Sequence, residues 1–208
     1  MFPSRIRMLS VAILIGVAVL VAACSSKNNA NTAAKPTATI STLSGVSTVV
    51  DLNPDTAKVL ADNHVMVAPV GPATAAPSGG TTAVSFPITG GHVSIYPQND
   101  LPFIRGSVSH SGGLTFSAGD KTLTATNFVV DPGASTLTAT VGGQQVQLLD
   151  LDGHDVKVTK DAQGMVHLDG TVAELSSAAA SALNQTFGVS IFKQGIPIGV
   201  VHITATGT

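Results

Sequence analysis

The chain has one cysteine, one tyrosine, one glutamate and no tryptophan in 208 residues, and charged side chains make up only 11% of it. Each shortage removes a class of function. A single thiol cannot close an intramolecular disulfide or build a Cys-ligated zinc site. Ten Lys and Arg against twelve Asp and Glu give a net charge of −2, and the basic residues are dispersed. No basic stripe is available to track phosphates, so nucleic acid is excluded as a partner. With Glu174 the only glutamate, a paired-carboxylate mechanism would fall to aspartates. No G-x-S-x-G elbow is present to place a serine nucleophile. His64, His92, His110, His154, His167 and His202 show neither H-x-H nor H-E-x-x-H spacing, so zinc has no local signature. Gly90-Gly91 and Gly142-Gly143 do not precede helices, so they are not phosphate loops.

The lone cysteine sits where it carries an address. Cys24 follows the apolar run 11–23, itself preceded by Arg5 and Arg7 and closed by the small residues Ala22 and Ala23. This is the three-part pattern of an export signal. The run falls short of the roughly 18 to 20 residues needed to cross a bilayer as a permanent helix. Arg5-Ile6-Arg7 is not a consecutive arginine pair, which favours the general secretory route. Val21-Ala22-Ala23-Cys24 resembles a bacterial lipobox, in which the thiol is linked to diacylglycerol and the peptide is cut just before it. The bland alternative is an ordinary secretory signal with Cys24 as a bystander. Two acyl chains give stable anchoring where one, such as a single palmitate, gives marginal binding. The expectation is a lipoprotein with signal peptide 1–23, lipidated at Cys24 and held at the extracytoplasmic face of the cell membrane. Removing 1–23 leaves 185 residues with 8 basic and 12 acidic side chains, a net charge of −4.

Residues 24–40 are polar and aperiodic, the composition of a flexible tether. Such a segment has a root-mean-square span of roughly 20 to 25 Å. Residues 41–208 then suit one extracytoplasmic domain of roughly 170 residues. Its middle reads as short strands at 83–88, 92–96, 104–110, 113–117, 122–130, 136–141, 145–150, 155–160 and 165–172. The breaks carry turn chemistry: Ser111-Gly112, Ala118-Gly119-Asp120, Asp131-Pro132-Gly133, Gly142-Gly143, Asp152-Gly153. The fold class is therefore mainly β, an antiparallel β-sandwich or barrel-like sheet system. No helix fits between these strands, which disfavours parallel winding.

Two helical signals flank the strands, and they match one another. Residues 48–60 align without a gap on 171–183, sharing Thr, Val, Leu and Ala positions, an acid at Asp51 and Glu174, and a capping type at Asn53 and Ser176. Pro54 suits a first helical position and Gly188 a helix end. The repeat predicts two strand-to-helix corners, with the two short helices at the ends of the sheet system.

The stretch 106–116, followed by Leu123, Asn127-Phe128-Val129-Val130 and 136–141, resembles the haem-uptake (HtaA-like) surface domains of actinobacteria. The resemblance implies a β-rich, surface-exposed module in which a tyrosine ligates haem iron and a histidine supports it. The family's aromatic motif around that tyrosine is absent. His110 falls in the matching strand-turn, and Tyr96 is the sole tyrosine, so these two are the candidate haem ligands, with haem the one cofactor implied.

The densest polar cluster is Asp150-Leu151-Asp152-Gly153-His154-Asp155, read as a turn rather than a calcium loop because the terminal Glu of an EF-hand is missing. The apolar stretch 191–201 reads as core, with a pocket lining for a lipid or tetrapyrrole as the sharper alternative. No constellation supports catalysis, so the reading is a non-enzymatic binding or structural module at the cell envelope, partnered by the membrane and by cell-wall components or an apolar small molecule. A haem or lipid carrier is the alternative, and an unrecognised hydrolase the third.

Overall fold

Turn glycines and alternating apolar residues produce one continuous antiparallel sheet in a computed structural model, which describes residues 34–207. The signal peptide, Cys24 and the tether as far as residue 33 lie outside the described residues. The elements are β1 (Ala38–Ile40), β2 (Leu43–Leu52), α1 (Pro54–Asp62), β3 (Met66–Val70), β4 (Thr74–Ser78), β5 (Thr81–Ile95), β6 (Ile104–His110), β7 (Gly113–Ala118), β8 (Lys121–Asp131), β9 (Thr136–Val141), β10 (Gln144–Asp152), β11 (Lys157–Lys160), β12 (Val166–Leu175), α2 (Ser177–Phe187) and β13 (Pro197–Gly207).

Between sandwich and barrel, the pairing decides for the barrel. Strands run in the order β5-β2-β13-β12-β10-β9-β8, and β6 pairs with both β8 and β5 to close a ring of eight. The closing contacts are Val108 opposite Val130 and Ser109 opposite Val129 on one edge, and Ile104 to His110 against Ile95 to Ile88 on the other. The remaining strands stand outside the ring: β1 and β4 on β5, β11 on β12, and β7 with β3 on β8.

Closure needs a strongly coiled strand, and β5 supplies it. The sequence suggests two strands, 83–88 and 92–96, broken at Thr89-Gly90-Gly91; the structure has one strand of 15 residues with a register shift between Ile88 and Gly90. A bulge bends a strand without ending it. Where β5 crosses β6, Gly91 has φ +125° and Gly106 φ +133°, and a Cβ on either would collide with the facing carbonyl, of Ser107 or His92. Only glycine permits that approach.

Both helices begin as the repeat requires. Asn53 Oδ1 accepts from the backbone N–H of Asp55 and Thr56, Pro54 follows, and Ser176 Oγ accepts from Ala179 N–H. Gly188 ends α2 in the left-handed region at φ 70°. Their placement corrects the expectation of one helix at each end. Leu52 lies opposite Gly199, and Gly199 opposite Ala173. Since β2 and β12 both run antiparallel to β13, they point the same way, and α1 and α2 stand together at one end of the barrel.

One boundary also moves. The segment 38–40, read as the end of the tether, is β1, with Ala38 opposite Ile95. The strands β3 and β4 carry Pro69 and Pro77 and are largely exposed, as edge strands that lack a donor must be.

Candidate functional site: an apolar cavity inside the barrel

Eight strands leave an interior that either fills with side chains or holds one small ligand. This barrel holds a cavity of about 810 Å³. Every strand of the ring contributes to its wall, among them Val50 from β2, Phe86 from β5, Ile104 from β6, Phe128 from β8, Leu137 from β9, Leu149 and Leu151 from β10, Leu168 from β12 and Val201 from β13. Period-two alternation sends these side chains inward. The outer wall is polar: on β12 and β13, His167 approaches Asp161 at 3.1 Å and Thr204 at 3.2 Å, and His202 approaches Asp169 at 2.9 Å and Asp51 at 3.4 Å. The His167 hydrogen bond holds the Asp161 carboxyl below the usual carboxylate range.

The cavity reaches the helix end, where Thr56, Val59 and Leu60 of α1 line it beside a second apolar cluster. Ala179, Leu183 and Phe192 are buried with Leu175, and Phe116, Leu123, Ile196 and Ile198 pack against them. Phe86 and Phe128 meet edge to face, with ring centroids 5.0 Å apart, inside the barrel. The stretch 191–201 combines core packing with cavity lining. Phe192 is core, and Phe192, Ile196, Ile198 and Val201 also line the cavity.

At the opposite end, three loops ring a mouth. Gln98, Leu101 and Pro102 follow β5, Ser135 follows β8, Asp152 ends β10 and His154 follows it; all six line the cavity and all are exposed. The Asp150–Asp155 cluster forms part of this rim as a turn. Asp152 Oδ1 accepts from His154 N–H at 2.9 Å, and Asp150 accepts instead from Gln147 and Gln194. No cluster of three or more metal-ligating side chains occurs among the described residues.

The two haem-ligand candidates occupy different environments. His110, 5% exposed, lies on the cavity wall. Its Nδ1–H donates to the Phe128 carbonyl at 3.2 Å, which leaves Nε2 to accept the Thr48 hydroxyl at 2.6 Å. Burial lowers its pKa to about 4, and the Phe128 hydrogen bond only partly opposes this. The ring is neutral at pH 7, with both nitrogens engaged. Tyr96 stands outside the cavity lining, at the barrel's mouth end, under the Arg105 guanidinium at 4.0 Å. Its backbone pairs with Phe103, seven residues from His110 along the same strand. That separates them by about 20 Å at roughly 3.3 Å per residue. The structure does not bring them to one iron.

The wall residues are what sequence reasoning missed as a site. Their inward alternation is legible, but an alternating strand looks the same over a filled interior as over an empty one.

An antiparallel eight-stranded ring around an apolar cavity defines a fold class, the small closed β-barrels. Among solved structures the chain resembles the C-terminal domain of HtaA from Corynebacterium glutamicum, with a TM-score of 0.50 and 12% identity over 81% of this chain and 98% of that one. The heme-binding protein HtaB from the same organism aligns with a TM-score of 0.46 and 9% identity, over 82% of this chain and 96% of that one. The resemblance read from 106–141 is thus met in the fold. No family model and no curated protein matches the chain.

Proposed function

We propose that this protein is a lipid-anchored carrier at the extracytoplasmic face of the cell membrane, holding an apolar small molecule in its barrel without transforming it. The cavity carries the reading. About 810 Å³ falls within the roughly 300 to 1,000 Å³ typical of ligand sites. The wall is mostly aliphatic and aromatic, and among the described residues the only carboxylate lining it, Asp152, belongs to the rim turn. Deep in the barrel His110 is neutral and occupied, so it faces no acid partner with which to move protons. A chain or chains of methylenes, with a polar head left near the mouth, match such a lining better than an iron centre does. The anchor at Cys24 belongs to the same proposal, supported by the lipobox pattern.

Native mass spectrometry of protein purified from its own membrane tests this reading. The expected result is a co-purified acyl lipid that dissociates on activation. A haem mass, with a Soret band lost in Tyr96→Phe or His110→Ala, would replace the lipid reading with the haem one. A barrel that is empty, and that also fails to bind cis-parinaric acid, would sink the carrier reading.

A further inference from the structure

The cavity lining carries no fixed cation. Among the described residues no lysine or arginine contributes to it, and its one carboxylate is Asp152 at the rim. The polar side chains deeper in, Thr48, Thr56, His110 and Thr171, are uncharged at pH 7. Three of them are engaged within the protein, Thr48 with His110 and Thr56 with the Pro197 carbonyl at 2.6 Å. The basic side chains of the neighbouring segments have their own partners. Arg105 pairs with Asp100 at 3.1 Å and lies over the Tyr96 ring. Lys157 stands opposite Asp169, whose carboxylate meets His202 on the outer wall. At the rim itself, His154 Nδ1 lies 3.2 Å from Asp155.

What the rim offers is uncharged hydrogen-bonding groups around a single carboxylate. Leu151 N–H donates to the Ser135 carbonyl at 2.9 Å, which sets Ser135 beside Asp152. The turn that follows is fixed by Val156 N–H on the Gly153 carbonyl at 3.2 Å and by His154 N–H on Asp152 Oδ1 at 2.9 Å. Asp152 Oδ2, the Ser135 hydroxyl and the Gln98 amide are thereby left for whatever head group lodges in the mouth. A carboxylate oxygen only accepts, whereas a hydroxyl or an amide both donates and accepts. A head with several hydroxyls can satisfy all three at once. An ionised acid can only accept, so it has nothing to give Asp152. Two like charges about 5 Å apart at a wet surface cost about a factor of ten in affinity. An amine head gains little in exchange, because an ion pair to one exposed carboxylate is weak.

We propose that the carried molecule is an uncharged acyl amphiphile with a polyol head, of the acylglycerol or acylated-sugar class, and not a fatty acid or a phosphate ester. This inference rests on the carrier reading. The acyl part fills the apolar wall, and the head's hydroxyls meet Asp152, Ser135 and Gln98 at the rim.

Three ligands with one lauroyl-length chain and different heads test it: 1-monolauroylglycerol, laurate and laurylamine. Each displaces cis-parinaric acid from the full mature chain at pH 8, where the acid is ionised. The chain carries Cys24→Ser, so that neither detergent nor an acyl group of its own competes for the barrel. The glycerol ester should bind about tenfold more tightly than laurate and no more weakly than the amine. Laurate binding as tightly as the ester, or the amine binding more tightly than either, overturns the head-group assignment and leaves the carrier reading standing. Asp152→Asn should shrink the preference for the ester over laurate to within about threefold; an unchanged ratio overturns the role given to Asp152. If none of the three displaces the probe and the probe itself does not bind, the carrier reading fails and this inference falls with it.

Discussion

A histidine inside an apolar barrel titrates out of its usual place, and His110 shows how. Its neutral ring has a donor for the Phe128 carbonyl and an acceptor for the Thr48 hydroxyl, so both nitrogens are satisfied without charge. Protonation would put a second N–H against a hydroxyl already donating and a charge among Val108, Phe86 and Phe128. Its pKa falls from 6.5 to about 4 for that reason. The unfolded chain therefore binds a proton between these values that the folded one refuses, and stability drops as pH falls. The contribution is full above pH 6.5 and is lost progressively down to about pH 4, a loss of roughly 3 kcal/mol at 1.36 kcal/mol per pH unit. Urea unfolding of wild type and His110→Gln at pH 7 and pH 4.5 measures it. The variant should show the shallower decline between those conditions. Parallel declines would mean that another group sets the acid limit.

At the scale of elements, the matched corners do unequal work. Asn53 caps α1 with two backbone bonds on a half-buried surface. Ser176, 3% exposed, caps α2 at Ala179 N–H and also donates to the Gln147 carbonyl of β10 at 2.6 Å, so it ties helix to barrel. Removing a simple cap costs about 1 kcal/mol, whereas leaving the half-buried Gln147 carbonyl without its donor adds about 1 more. Ser176→Ala should therefore lower unfolding free energy about twice as far as Asn53→Ala in chemical denaturation; equal losses would refute the second role. Both caps were legible in sequence because capping is local: a side chain, three residues and a helix. The common end of the two helices was not legible, since it depends on β13 pairing with β12 on one side and, across well over a hundred residues, with β2 on the other. Likewise Thr89-Gly90-Gly91 reads as a turn because glycine licenses both a turn and a coiled crossing, and only the partner β6 decides between them. His110 was legible as the one histidine in the right strand, but the bonds that occupy its ring come from Thr48 and Phe128, residues no spacing connects to it.

For the whole molecule, the open question is what an interior of this size contributes when empty and when full. Leu149 and Leu151 face the cavity yet remain only partly buried, so the wall forgoes contacts that a filled core would make. A ligand restores them, and because it binds only the folded chain it stabilises by mass action. At a hundredfold excess over Kd the gain is about 2.7 kcal/mol, or about 5 to 10 °C in Tm for a domain of this size. Leu149→Trp separates this from nonspecific stabilisation by detergent-like probes. The larger ring occupies cavity volume at a site where there is room for it, so the ligand-free Tm should hold or rise, unlike the usual result of overpacking a filled core. The Tm shift on adding cis-parinaric acid should shrink to less than half that of wild type, with Kd weakened at least tenfold. A variant that lost ligand-free stability would show the interior to be already full. One that kept both its stability and the full ligand-induced shift would place the probe outside the barrel.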